Sequence, residues 1–93
     1  MDFSKEENRF YLDDKNGENI AEITMSPTSE TLKIIDHTWV DESLRGQGVA
    51  ARLVEAVVND AREKGYKILP LCPFAKSEFE RKSEYADVLT SVR

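Results

Sequence analysis

Arg45, Gly46, Gln47 and Gly48 stand directly before the clearest helical run in the chain. A glycine-rich loop at a helix start leaves several backbone N–H groups unpaired, together with the positive end of the helix dipole, and so suits an anion. Gly46 and Gly48 lack the Cβ atoms that would hold a diphosphate away, and the Arg45 guanidinium can bond a phosphate oxygen in forked geometry. Charge-assisted hydrogen bonds contribute roughly 1.5 to 3 kcal/mol each, so a few amides and one arginine could hold a diphosphate on an otherwise acidic chain. Two other residues could do chemistry. His37, the single histidine, has a reference pKa near neutrality. Cys72, the single cysteine, precedes a helix start at Pro73 or Phe74, where a positive helix end favours the thiolate.

The loop has three competing readings. It could be a tight turn and nothing more. Gly46, Gly48 and Ala51 also satisfy a dinucleotide-binding fingerprint, but that motif expects an acidic residue ~20 positions onward to hold a ribose. Here that region reads Leu69, Pro70, Leu71, Cys72, Pro73, without an acid. A phosphate-binding loop of the ATPase type is excluded because no Gly-Lys-Ser/Thr follows.

Composition narrows the classes further. With 93 residues, 40% hydrophobic and 33% charged, the chain is expected to form one domain spanning 1–93 and is too apolar for intrinsic disorder. No apolar run approaches the ~20 residues of a membrane helix, and MDFSKEENRF lacks signal-peptide or transit character, so a cytoplasmic protein with no membrane partner is expected. Thirteen basic against eighteen acidic residues give a formal charge of -5, with no basic cluster to draw nucleic acid. One cysteine and one histidine cannot assemble a Cys/His zinc site or an internal disulfide.

The elements that must position these residues follow from periodicity. Phe10 and Leu12 alternate along Arg9 to Asp14, Asn16-Gly17 marks a turn, and Ala21, Ile23 and Met25 alternate along the next strand until Ser26-Pro27-Thr28-Ser29 breaks it. A β-branched run predicts a third strand from Thr31 to Val40, completing an antiparallel meander. Val49, Leu53, Val57 and Ala61, widened by Val54 and Val58, predict an amphipathic helix from Val49 to Lys64, ended by Gly65. A fourth strand, YKILPLC, then lies parallel to the third in a βαβ unit. The tail reads as a short helix with an irregular end. The fold class is α/β of the α+β type.

Arg45-Gly46-Gln47-Gly48-Val49-Ala50 resembles the R/Q-x-x-G-x-G/A loop of the GCN5-related N-acetyltransferases, which grips the pyrophosphate of coenzyme A. IDHTWV, the loop, and LCPFAKSEFE followed by SEYADVL resemble, in that order, the small YjdJ-like acetyltransferases, a group that includes the N-acetyltransferase domain-containing protein of animals. The resemblance runs from about Phe10 to Leu89. It implies a minimal form of that fold and acetyl-CoA held where two parallel strands splay, with Thr38, Trp39 and Val40 on one wall and Ile68 to Cys72 on the other. Pro70 and Pro73, which lack an N–H, independently suit a splay.

The implied reaction is acetyl transfer to an unidentified amine, small-molecule or protein. It needs a neutral nitrogen, a stabilised oxyanion and a proton for the departing thiolate. His37 is a candidate base or a simple strand histidine. Cys72 is a candidate acetyl carrier or a pocket-lining thiol. Asp41 and Glu42 could guide an amine or be turn residues, and Ala75, Lys76 and Ser77 are candidates for the nucleotide end. The tyrosine that serves many relatives as general acid falls on Phe79, and Tyr85 could replace it only if the tail folds back. The alternatives are a non-catalytic CoA-binding module and a plain interaction domain.

Overall fold

The computed structural model describes residues 2–90. Five strands form one sheet in chain order: β1 (Ser4–Glu6), β2 (Arg9–Asp13), β3 (Asn19–Ser29), β4 (Leu32–Val40) and β5 (Lys67–Pro70). Neighbours are antiparallel except β4 and β5, which are parallel and joined through α1 (Val49–Lys64). A second helix, α2 (Pro73–Arg81), and two 3-10 segments, Glu42–Leu44 and Ser83–Val88, complete the described elements. The expected α+β architecture with a βαβ unit is present, and α1 has the predicted bounds.

Sequence patterning misses three features. β1 has no apolar alternation to announce it. It is held by its ladder to β2 and by Lys5, whose Nζ lies 2.8 Å from the buried carboxylate of Asp60 on α1. Ser26-Pro27-Thr28-Ser29 does not break β3, which continues through it. Beyond Thr24 the strand has outrun β2, so Pro27 turns its N–H-less nitrogen to an edge where no ladder bond is lost. β5, finally, stops at Pro70 rather than Cys72.

Ala21, Ile23, Met25 and Ile35 form the buried face of the sheet, against which Leu53, Val54, Val57, Val58 and Ala61 of α1 and Ala75 and Phe79 of α2 close a single core. Full burial of one such aliphatic side chain stabilises by roughly 1.5 to 3 kcal/mol. Register puts Arg9, Tyr11, Glu22, Thr24, His37 and Trp39 on the other face, and none of these is buried. Among the described residues, no helix is long and apolar enough to cross a membrane.

Candidate functional site

β4 and β5 pair only from Leu32–Lys67 to Ile35–Pro70. Past that point the N–H groups of Leu71 and Cys72 both turn onto the Ile35 carbonyl, each at 3.2 Å, while β4 runs on to Val40 paired with β3 alone. The edge of β4 that faced β5 is thus released, and the two strands part. A bulge marks the same place. His37 pairs with Thr24 and Ile35 with Met25, leaving Asp36 without an opposite residue. Such an insertion bends a strand, and here Asp36 joins His37 on the open face, where its Oδ2 accepts the Ser26 hydroxyl at 2.6 Å.

Beyond β4 the chain turns through a 3-10 segment, Glu42–Leu44. Asp41 caps it, accepting the Ser43 N–H at 3.0 Å and the Ser43 hydroxyl at 2.6 Å. The hydroxyl bond, then the N–H, hold its carboxyl below the usual carboxylate range. Asp41 is accordingly engaged as a turn residue. Gly46 and Gly48 have φ of 80° and 72°, and Gly48 is the N-cap of α1. A Cβ at either would meet no protein atom within 4 Å, so packing does not demand glycine there. What remains is the left-handed backbone and the open space in front of it.

The turn consumes two of the loop's donors: Arg45 N–H bonds the Glu42 carbonyl at 3.1 Å and Gln47 N–H that of Leu44 at 3.3 Å. Among the described residues no backbone carbonyl takes the N–H groups of Gly46, Gly48, Val49 or Ala50. They border a cavity of about 340 Å³. Arg45, Gly46, Gly48 and Ala50 form one side of it, with Val40 at the end of β4, and Phe74, Glu78 and Arg81 form the other. Those three α2 residues recur at helical spacing, which could have been read from the sequence as one face. Glu78 is fully buried. Its Oε2 accepts from Arg81 Nη2, and Lys82 Nζ lies 3.1 Å from Oε1.

Cys72 occupies the N-cap position of α2, 7% exposed. Its Sγ donates to Thr38 Oγ1 at 3.5 Å, spanning the fork between the strands. Burial alone would push the thiol up. The Thr38 hydroxyl, the N–H groups of Ala75 and Phe74 at the helix start, and the Thr38 N–H outweigh that, and the thiol lies below its ordinary value. Cys72 thus stands directly ahead of a helix that begins at Pro73, as the sequence led one to expect.

The other candidates scatter. Thr38 pairs opposite Ile23 and shares its buried side, whereas His37 and Trp39 project to the open face, where His37 Nε2 lies 3.6 Å from Glu22 Oε2. The structure does not bring His37 together with Cys72, and Trp39 can give the fork only its backbone. Gln47 is exposed and Ala75 is fully buried, neither lining the cavity. Lys76 borders a different one, with Leu69 and Phe79. Phe79 faces the core. The tail does fold back, but it carries Tyr85 against the Phe79 ring, centroids 5.6 Å apart, so that the phenol is buried and pushed up chiefly by that burial. Neither aromatic lines the cavity.

A family model described as GCN5-related N-acetyl-transferase matches residues 9–88. The chain belongs to this family. Among solved structures, this GCN5-related N-acetyltransferase domain is similar to a GCN5-like protein of Staphylococcus aureus determined by NMR, with 39% identity over 99% of this chain and 90% of that one and a TM-score of 0.80. It is also similar to a GNAT family N-acetyltransferase from Escherichia coli, solved in complex with CoA, at 28% identity and a TM-score of 0.64, covering 76% of this chain and 43% of that one. An acetyltransferase from Bacillus cereus shares 26% identity over 74% of this chain and 54% of that one, with a TM-score of 0.60. Comparison with curated proteins gives no match.

Proposed function

We propose that the protein is an acetyl-CoA-dependent N-acetyltransferase that holds the CoA diphosphate on the Arg45 to Ala50 loop. The observation that carries this reading is a cavity bordered by four uncommitted N–H groups at the start of α1 and, through Val40, by the end of a strand that has parted from its parallel neighbour beyond Ile35 and Pro70; Thr38 and Cys72, nearer the fork, do not line it. The residues fit the cofactor. The N–H groups of Gly46, Gly48, Val49 and Ala50, the dipole of α1 and the Arg45 guanidinium suit a diphosphate, and the released edge of β4 from Thr38 to Val40 offers main-chain groups to the amide-containing arm. When bound, acetyl-CoA supplies the thioester that is cleaved.

Cys72 is the side chain best placed at the fork. Its lowered pKa suits either attack on a thioester or donation of a proton to a departing thiolate, and main-chain groups on the edge of β4 released from β5 suit stabilisation of the tetrahedral oxyanion. His37, on the opposite face beside Glu22, is at most a relay for an amine entering from that side. The acceptor is an amine reaching an open fork.

A second reading is binding of CoA without transfer. It is favoured by the burial of Tyr85 and the phenylalanine at 79, which leave the cavity without a phenol. Intact-mass measurement after incubation with acetyl-CoA and a panel of amines tests the choice. An acetyl increment on an amine, or on Cys72 and absent in Cys72→Ala, supports transfer. Saturable CoA binding with no acetyl increment on either supports the second reading, and no binding defeats both.

A further inference from the structure

Glu78 is an unusual residue to find fully buried in α2, since a carboxylate removed from water costs several kcal/mol unless partnered. One oxygen accepts from Arg81; the other accepts no hydrogen bond although Lys82 Nζ is 3.1 Å away. Both Glu78 and Arg81 line the cavity that faces the Arg45 loop. A surface pair three residues apart on a helix ordinarily contributes little, and neither partner needs to be buried for it. Here both residues line the cavity, the Glu78 side chain fully buried and that of Arg81 64% exposed.

We propose that Arg81 is a second phosphate-binding side chain of this cavity, held in position by Glu78. The inference rests on the reading of the cavity as a CoA site. A guanidinium carries five N–H donors in a fixed plane, and the bond to Glu78 uses Nη2, leaving donors for an anion between α2 and the loop. Anchoring removes part of the ordering entropy that a long side chain otherwise loses on binding. The charges agree in sign. Glu78 is answered by both Arg81 and Lys82, so these three side chains together carry one net positive charge, which adds to Arg45 across the cavity, while Glu80 borders the other cavity with Lys76. The ligand chemistry is a phosphate group of the cofactor, either the diphosphate or the phosphate on the ribose.

Calorimetric titration with CoA, dephospho-CoA and pantetheine tests this, using the wild type, Arg81→Gln, Glu78→Gln, the double variant and Arg45→Glu, each checked by circular dichroism for retained fold. Arg81→Gln is expected to raise the Kd for CoA by about tenfold or more, the loss of one charge-assisted bond, to flatten its salt dependence, and to leave pantetheine binding unchanged. The same loss on dephospho-CoA assigns the contact to the diphosphate, and a loss confined to CoA assigns it to the ribose phosphate. Glu78→Gln should weaken CoA a few-fold alone and add nothing to Arg81→Gln, a non-additivity that a purely structural role would not produce. Wild-type affinity and salt dependence in Arg81→Gln, while Arg45→Glu binds weakly, would overturn the role of Arg81 and leave the CoA reading standing. Equal weakening by Glu78→Gln in both backgrounds would overturn the positioning role. Absence of CoA binding by the wild type would remove the reading beneath both.

Discussion

Replacing Gly48 by alanine separates what the loop does for the fold from what it does for a ligand. Gly48 caps α1 at φ 72° and Gly65 ends the same helix at φ 83°, about 25 Å apart at 1.5 Å per residue. A Cβ meets nothing within 4 Å at either site, so sterics with the rest of the protein cancel. Each alanine must adopt a left-handed backbone at a cost of roughly 1 to 2 kcal/mol, which for a domain of this size lowers the Tm by about 4 to 8 °C per kcal/mol. Only Gly48 borders the cavity with Arg45, so only there does the new methyl occupy the space in front of the free N–H groups. If it lifts a diphosphate from one or two of them, at roughly 1.5 to 3 kcal/mol each, the Kd for CoA rises at least about tenfold. Differential scanning fluorimetry and calorimetry on both variants give the comparison. Similar Tm losses with CoA affinity lost only in Gly48→Ala are expected. Equal affinities in the two variants would refute the reasoning, since backbone strain would then be the whole effect.

Thr38→Val removes the hydroxyl that meets Cys72, and the thiolate absorbance of the variant is expected to titrate at higher pH than that of the wild type; an unchanged midpoint would assign the lowered pKa to the main-chain N–H groups of Ala75, Phe74 and Thr38. Asp60 is buried, and although burial raises its pKa, Lys5 and the Tyr66 hydroxyl, the latter at 2.7 Å, lower it further and leave it below the usual carboxylate range. A pKa lower folded than unfolded gives stability that is present above the unfolded value, near 3.9, and lost as pH falls through the folded one. Urea melts at pH 7 and below pH 4 should thus find Asp60→Asn less stable than wild type by about 1 to 3 kcal/mol at the higher pH, with the gap narrowing in acid; a pH-independent gap would contradict the assignment.

The sequence was most informative where local chemistry dictates local structure. The four-residue recurrence from Val49 to Ala61 and the terminal Gly65 defined α1 to the residue, because an amphipathic stripe and a left-handed cap are both local signals. Arg45 and the glycines were legible for the same reason, and so was the position of Cys72 ahead of α2. β1 was not, since Ser4–Glu6 owes its place to pairing with β2 and to Asp60, fifty-five positions from Lys5 in the chain. The passage of β3 through Pro27 depended on where β2 ends. The separation of His37 from Cys72 turns on strand register and on a one-residue bulge at Asp36, which no periodicity announces. Phe74, Glu78 and Arg81 shared a helical face in plain view, but which face of α2 meets the loop is a tertiary fact.

We propose the N–H groups opening α1 and the released edge of β4 as the CoA site. A titration of ¹⁵N-labelled protein with CoA, followed amide by amide, measures this directly. The largest shifts are expected at Gly46, Gly48, Val49 and Ala50, with Thr38 and Val40 following and the cavity beside Arg62, Tyr66 and Lys67 unmoved. Saturable shifts centred on that second cavity, or a loop left silent at saturating CoA, would contradict it.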